Sequence, residues 1–235
     1  MDQPPKAAGP SKKHHPRGLP IVYEDRDILI VDKPSGLLTV GTNREKTKTV
    51  HFLLNDYVRK GIAKSRNRAY VVHRLDRETS GILLFAKSEQ AKRFLQEHWD
   101  QTDKQYLAIV HGELSVKEGT ISTYLAENSA LKVYSTPNPA KGKLSQTAYQ
   151  VLQESKGFSL LDIHLITGRK HQIRVHFAEM GHPVAGDKKY GNEPSPFKRL
   201  ALHARSLSFI HPFSGKRMTF DLGMPAEFGR VFRPL

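Results

Sequence analysis

Apolar positions along this chain come in two rhythms. Ile28-Leu29-Ile30-Val31 is a continuous apolar run, closed by Lys33-Pro34-Ser35-Gly36, and it predicts a buried strand ending in a turn. Val50, Leu53, Leu54, Tyr57 and Val58 recur at i, i+3, i+4, i+7 and i+8, the spacing of an amphipathic helix that should end near Gly61. A basic loop, Lys64 to Arg68, leads to a strand over about Tyr70–Val72, and Ile82–Ala86 predicts another. Ser88 is placed to cap a second helix that carries Ala91, Phe94, Leu95, His98 and Trp99 on one face, with Trp99 in the core. Tyr106–Val110 predicts a strand closed by Gly112, and alternation at Leu161, Ile163 and Leu165 predicts one more. After Gly168 a third helix should bury Ile173, Phe177 and Met180 and stop at Gly181. Leu207, Phe209, Met218 and Phe220 suggest a closing hairpin around Ser214-Gly215. Residues 128–146 have no period, and Pro137, Pro139, Gly142 and several lysines predict a long mobile loop facing a polyanion. Strands outnumber helices and do not alternate with them, which predicts an α+β fold with a largely antiparallel or mixed central sheet and flanking helices.

Composition narrows the class. The chain has 235 residues, enough for a sizeable core. Residues 1–18 carry Pro4, Pro5, Pro10 and Pro16 with Lys6, Lys12, Lys13 and Arg17, and are expected to be a flexible basic tail; residues 19–235 are expected to form one catalytic domain. With 37 Lys and Arg against 23 acids, the net charge of +14 points to a phosphate-bearing partner, nucleic acid before any anionic membrane. No apolar stretch reaches membrane-spanning length, and no signal-peptide core is present, so a cytoplasmic, monomeric protein is expected. The absence of cysteine excludes disulfides, thiolate metal sites and a cysteine nucleophile.

Within this basic chain one acid is singled out. His73-Arg74-Leu75-Asp76-Arg77-Glu78-Thr79-Ser80-Gly81 sets Asp76 between two arginines, immediately before the apolar Ile82–Ala86 run. In isolation such a tripeptide is most often a surface ion pair. As a functional element it is a carboxylate with cations on either side, suited to chemistry on a polyanion. His171, His176 and His182 lack the spacing of an H-E-x-x-H metal site, and no glycine-rich phosphate loop or G-x-S-x-G elbow occurs, so metal sites, nucleotide hydrolysis and Ser-triad chemistry lose their usual signals. A lone aspartate leaves three roles open: nucleophile, general base or ion-pair partner.

The segment His73–Ala86 resembles the signature of the RluA-type pseudouridine synthases. Val31-Asp32-Lys33-Pro34-Ser35-Gly36-Leu37-Leu38 resembles the family's first motif, with Asp32 where Asn is more common. Lys104-Gln105-Tyr106-Leu107-Ala108 resembles its tyrosine strand, and Thr167-Gly168-Arg169-Lys170-His171-Gln172-Ile173-Arg174 its arginine motif, with Lys170 at a position often Thr or Ser. Gly181–Asp187 and Leu202-His203-Ala204 complete an ordered set covering nearly the whole chain after the tail. The resemblance implies the pseudouridine synthase fold and cofactor-free isomerisation of uridine to pseudouridine in a stem-loop of 23S rRNA or tRNA. It implies Asp76 as the essential aspartate, Tyr106 as the tyrosine against the base and Arg174 as a buried arginine paired with the aspartate. It also implies Arg74 as a residue filling the space of an extruded base. Arg77, Lys104, Arg169 and Lys170 are expected to contact the RNA backbone. With about 18 residues of tail, a separate S4 RNA-binding domain is not expected within this length. Two rivals remain: a non-catalytic RNA-binding or RNA-folding protein on the same scaffold, and an aspartate-dependent hydrolase, which would want a second carboxylate or a metal cluster.

Overall fold

The computed structural model describes residues 15–62, 64–191 and 193–232. Most of the expected basic tail lies outside the described residues. The chain divides into two compact units: residues up to Thr102 together with Leu207–Asp221, and Asp103–Ser206 together with the segment from Leu222 onward.

In the first unit β1 (Ile21–Glu24), β2 (Ile28–Lys33), β3 (Tyr70–Val71) and β4 (Ser80–Ala86) pair antiparallel, β2 against β1 and β4, and β3 against β4. Every residue of β4 is buried, as are Ile28 to Val31 of β2, which is why both read as unbroken apolar runs. Their register sets Ile30 opposite Leu84 and Lys33 opposite Gly81. Two helices belong to this unit. In α1 (Val50–Arg59) the Thr49 side chain caps the Phe52 amide, and Val50, Leu54, Tyr57 and Val58 are buried. In α2 (Glu89–Glu97) Ser88 caps the Ala91 amide, as expected from the sequence. Trp99 lies past the end of α2 in a short 3-10 turn, half-buried rather than in the core, with its ring 4.6 Å from that of His73.

The second unit is an antiparallel array of β5 (Asp103–His111), β6 (Glu118–Glu127), β7 (Val133–Thr136), β8 (Lys143–Ser155) and β9 (Phe158–Leu165), in the order β5-β9-β8-β6-β7. Helix α3 (Gln172–Glu179) buries Ile173 and Phe177 in a core with Leu161, Ile163 and Leu165. A second cluster gathers Leu107, Ile109 and Leu160 with Phe228 and Phe232. The final hairpin is β10 (Leu202–Ile210) and β11 (Arg217–Asp221), turning through Gly215 at φ 67°.

Two further expectations are corrected. Residues 128–146 are not one long loop: β7 and the start of β8 lie within them. Their exposed, lysine- and proline-rich sequence hides the strands, because neither edge carries a repeating buried face. Met180 is exposed at 40%, because the helix has already ended and Gly181, at φ 84°, turns the chain away.

Candidate active site

Asp76 lies on the loop that precedes β4, half-buried between the exposed Arg74 and Arg77. The backbone on both sides of it is tied down. On one side the buried Thr39 hydroxyl donates to the Leu75 carbonyl at 2.9 Å and accepts from the Leu75 amide at 3.2 Å. On the other, the Arg77 carbonyl accepts from the Lys33 ammonium at 2.9 Å and from the Gly36 amide at 2.8 Å. The Ser35 hydroxyl donates to the Glu78 carbonyl at 2.6 Å, and the Thr79 amide closes a turn onto the Asp76 carbonyl at 3.2 Å. Lys33 is wholly buried and also donates to the carbonyls of Pro34 and Leu37. A buried ammonium is tolerated only when its hydrogen bonds are met, and here it ties the turn after β2 to the Asp76 loop. His73 accepts from the Leu84 amide at 3.1 Å, and Arg77 reaches the Glu45 carboxylate at 2.8 Å.

In the second unit Tyr106 is opposite Ile163 in the β5–β9 ladder and packs on the core that holds Phe177. Lys104 shares its face of the strand by the two-residue repeat. At 8% exposure Lys104 is covered, whereas Arg77, Arg169 and Lys170 are exposed. Arg174 sits in the first turn of α3, buried, and makes a bidentate pair with Asp187, Nε to Oδ2 at 2.7 Å and Nη2 to Oδ1 at 2.8 Å. Burial pushes the Asp187 carboxyl upward. The Arg174 hydrogen bond and charge, with the Lys189 and Tyr190 amides, outweigh this and hold it below its ordinary value. The Arg174 guanidinium also lies 5.1 Å from the Tyr190 ring centroid. Tyr190 in turn hydrogen-bonds His171 at 2.7 Å and accepts from the Val133 amide at 3.1 Å.

The loop before α3 is built around buried Gln172. Its carbonyl oxygen accepts from the Arg169 amide and the Thr167 hydroxyl, and its amide group donates to the Gln146 carbonyl and the Thr147 hydroxyl. Arg169 and Lys170 are therefore presented outward on an ordered turn, Lys170 against Glu127. His176, 1% exposed, is bracketed by the hydroxyls of Thr123 and Thr147 at 2.9 Å each. Burial drives its pKa down to about 4, against a small opposing pull from Glu179.

Among the described residues Asp25, Asp27 and His211 approach closely enough to consider as metal ligands. Their hydrogen bonds describe a turn lock instead. Asp25 Oδ1 accepts from the amides of Asp27 and Ile28, while Oδ2 accepts from the Tyr23 hydroxyl and contacts His211 Nε2 at 2.9 Å. His211 Nδ1 accepts from the amides of Phe213 and Ser214.

Asp76 thus lies on a pinned loop of the first unit, and Arg174 is buried on a helix of the second. Residues 27–179 match the family described as RNA pseudouridylate synthase, and the chain belongs to that family. It is an RNA pseudouridine synthase, an isomerase. Ribosomal large subunit pseudouridine synthase D of Zymomonas mobilis is 35% identical, with 94% of this chain and 75% of that protein covered. The RNA pseudouridine synthase YlyB of Bacillus subtilis is 34% identical over 94% of this chain and 74% of its own length. The structure of human RNA pseudouridylate synthase domain containing 4 has the same fold, with a TM-score of 0.76 and 23% identity over 92% of this chain and 95% of that one.

The sequence reading missed several site-building residues. Lys33 and Ser35 read as part of a turn and of the first motif without a role of their own, and nothing local announces that Thr39 grips Leu75. Asp187 stood in a quoted motif, but its partner lies 13 residues away on another element.

Proposed function

We propose that this enzyme isomerises a uridine in a structured segment of large-subunit ribosomal RNA, with Asp76 as the carboxylate that does the chemistry. The observation that carries the assignment of Asp76 is the tethering of its loop on both sides by buried Thr39 and Lys33. A surface ion pair needs no such anchoring, whereas a reacting carboxylate gains from fixed placement. Support for the RNA class comes from relatives named for the large ribosomal subunit. A tRNA stem-loop is the second substrate that the family resemblance implies. Among the described residues no helix is long and apolar enough to cross a membrane, which accords with work in the cytoplasm on RNA.

In this reading the target base leaves its stack, at a cost of a few kcal/mol that is least in a loop. The exposed Arg74 is suited to fill the vacated space, since a guanidinium plane stacks and still bonds phosphate. The Asp76 carboxylate attacks C1′ of the ribose or otherwise promotes cleavage of the N1–C1′ bond. The uracil turns, C5 bonds to C1′ as the Asp76–C1′ bond of the attack route breaks and returns the carboxylate, the proton on C5 is lost and N1 gains one. The products are an isomer and an unchanged enzyme, so no redox partner is consumed. Tyr106 and Arg174 enter with the roles the resemblance implies, the tyrosine against the base and in deprotonation of C5, the arginine as partner to the acid. No observation favours a non-catalytic RNA-binding protein.

The test is mass spectrometry of ribosomal and transfer RNA from cells with and without this protein, with sites mapped after carbodiimide labelling. Loss of one pseudouridine in 23S rRNA is expected. Loss only in tRNA would move the substrate, and no loss in either would overturn the substrate reading.

A further inference from the structure

A groove of about 480 Å³ in the second unit is walled by β6, the turn between β7 and β8, and the ordered loop before α3. Four cations line it: Lys141 from the turn, Lys143 from the start of β8, and Arg169 and Lys170 from the loop, all exposed. Its one acid is Glu127, paired with Lys170. Gly142, between the two lysines, cannot carry a side chain. A Cβ there would meet Tyr124 Cβ and Thr136 Cγ2 at 2.8 Å, so the turn lies flat against its own strands and holds Lys141 and Lys143 at the groove. Other wall positions are small, Ala126, Ala140 and Gly168, which leaves room for a chain to approach. Gln172 fixes the opposite wall by holding the Arg169 amide and the Thr167 hydroxyl.

We propose that this groove holds the phosphodiester backbone of the substrate RNA, and that Glu127 is a built-in competitor that occupies Lys170 until a phosphate displaces it. The proposal rests on the RNA reading above and deepens it by naming the surface. Converging cations around a groove repel one another and are relieved by a polyanion, which a strand of phosphates supplies. The Lys170–Glu127 pair is solvent-accessible on both sides, 46% and 35% exposed, so it is weak enough to exchange. Glu127 stays charged at neutral pH: the Lys170 hydrogen bond above all, with the charges of Lys170, His171 and Lys189, holds its carboxyl below the usual range against a smaller effect of burial. RNA entering the groove therefore meets an anion that must be moved aside. This lowers affinity for any RNA and leaves it higher for one whose backbone follows the groove.

The competitor has a distinct salt signature. A phosphate that binds a free lysine releases a cation from the RNA, contributing about 0.7–0.9 to the slope of log affinity against log salt. Where the lysine is already paired with Glu127, the freed carboxylate gathers a cation and cancels part of that release. Glu127→Gln should therefore tighten binding about threefold and steepen the slope, by at most about 0.7–0.9. The double change Lys141→Ala with Lys143→Ala should weaken binding about tenfold and make the slope shallower by about 1.4–1.8, and Lys141→Arg with Lys143→Arg should restore both. The probe is a fluorescently labelled RNA stem-loop, titrated by anisotropy over a salt series, with thermal melts to confirm that each variant folds. Glu127→Gln with unchanged or weaker affinity would overturn the competitor, and an unchanged slope in the double alanine variant would overturn the groove. If the unaltered protein binds the stem-loop without salt dependence, the RNA reading itself fails. If it binds normally and the variants match it, only the groove fails.

Discussion

The ammonium of Lys33, at the end of β2, lies 2.9 Å from the carbonyl oxygen of Arg77, the residue after Asp76. A fully buried lysine, 44 positions upstream, thus sets the height of the loop that carries the acid. Its other two carbonyl partners, Pro34 and Leu37, shape the turn that supplies the Gly36 and Ser35 contacts to the same loop. The apolar run of β2 and the polar turn after it work together: the strand buries the stem of Lys33 and the turn satisfies its head.

Lys33→Met keeps the stem and removes the head. The carbonyls it leaves short of a donor should cost about 1–3 kcal/mol of stability. The loop should shift enough to slow turnover by about 10²-fold. RNA affinity should stay within about threefold, because the phosphate-binding cations are unaltered. Single-turnover rates and binding titrations on one preparation separate the two. A variant with normal turnover would show that the tether does not position the acid.

Asp187→Asn removes the charge that Arg174 is buried against. Removing the charge from one member of this buried pair should cost about 3–5 kcal/mol. The pH dependence has a definite sign. Asp187 is held below its ordinary value in the fold, so its contribution is complete above about pH 3.9, the unfolded value, and is lost as pH falls below it. Denaturant melts of wild type and variant should converge below that pH. A gap that persists unchanged at lower pH would contradict the pair's role.

His176 gives a second, milder acid limb. Its folded pKa of about 4 lies below the ordinary 6.5, so the unfolded chain binds a proton first as pH falls. The contribution is complete above about pH 6.5 and declines toward pH 4, by up to about 3 kcal/mol. His176→Gln should flatten this part of the stability profile while lowering stability at neutral pH. An identical slope between about pH 6.5 and 4 in both proteins would remove His176 as its source.

Much of this architecture was legible in the sequence, for reasons that differ by element. The runs at Ile28–Val31 and Ile82–Ala86 declare themselves because both faces are buried. Ser88 announces α2 because a cap is a local device. The strands β6, β7 and the start of β8 stay hidden because they pair mainly with one another and leave most side chains exposed. At the candidate site, Asp76, Tyr106 and Arg174 were picked out by motif. Their supports were not: Thr39 grips Leu75 across 36 residues, and Arg174 finds Asp187 beyond the end of its helix, and no periodicity encodes either. The coverage of Lys104 was not legible either, because a charge in a strand gives no hint of which face is covered.

The central claim is that the carboxylate of Asp76 carries out the isomerisation while surface cations hold the RNA. Tritium release from RNA containing 5-tritiated uridine reads the loss of the C5 proton directly. The wild type should release tritium to the extent of the modified sites. Asp76→Asn should release none above background while binding the same RNA within about threefold of wild type. Tritium release by Asp76→Asn at a rate near that of the wild type would contradict the account.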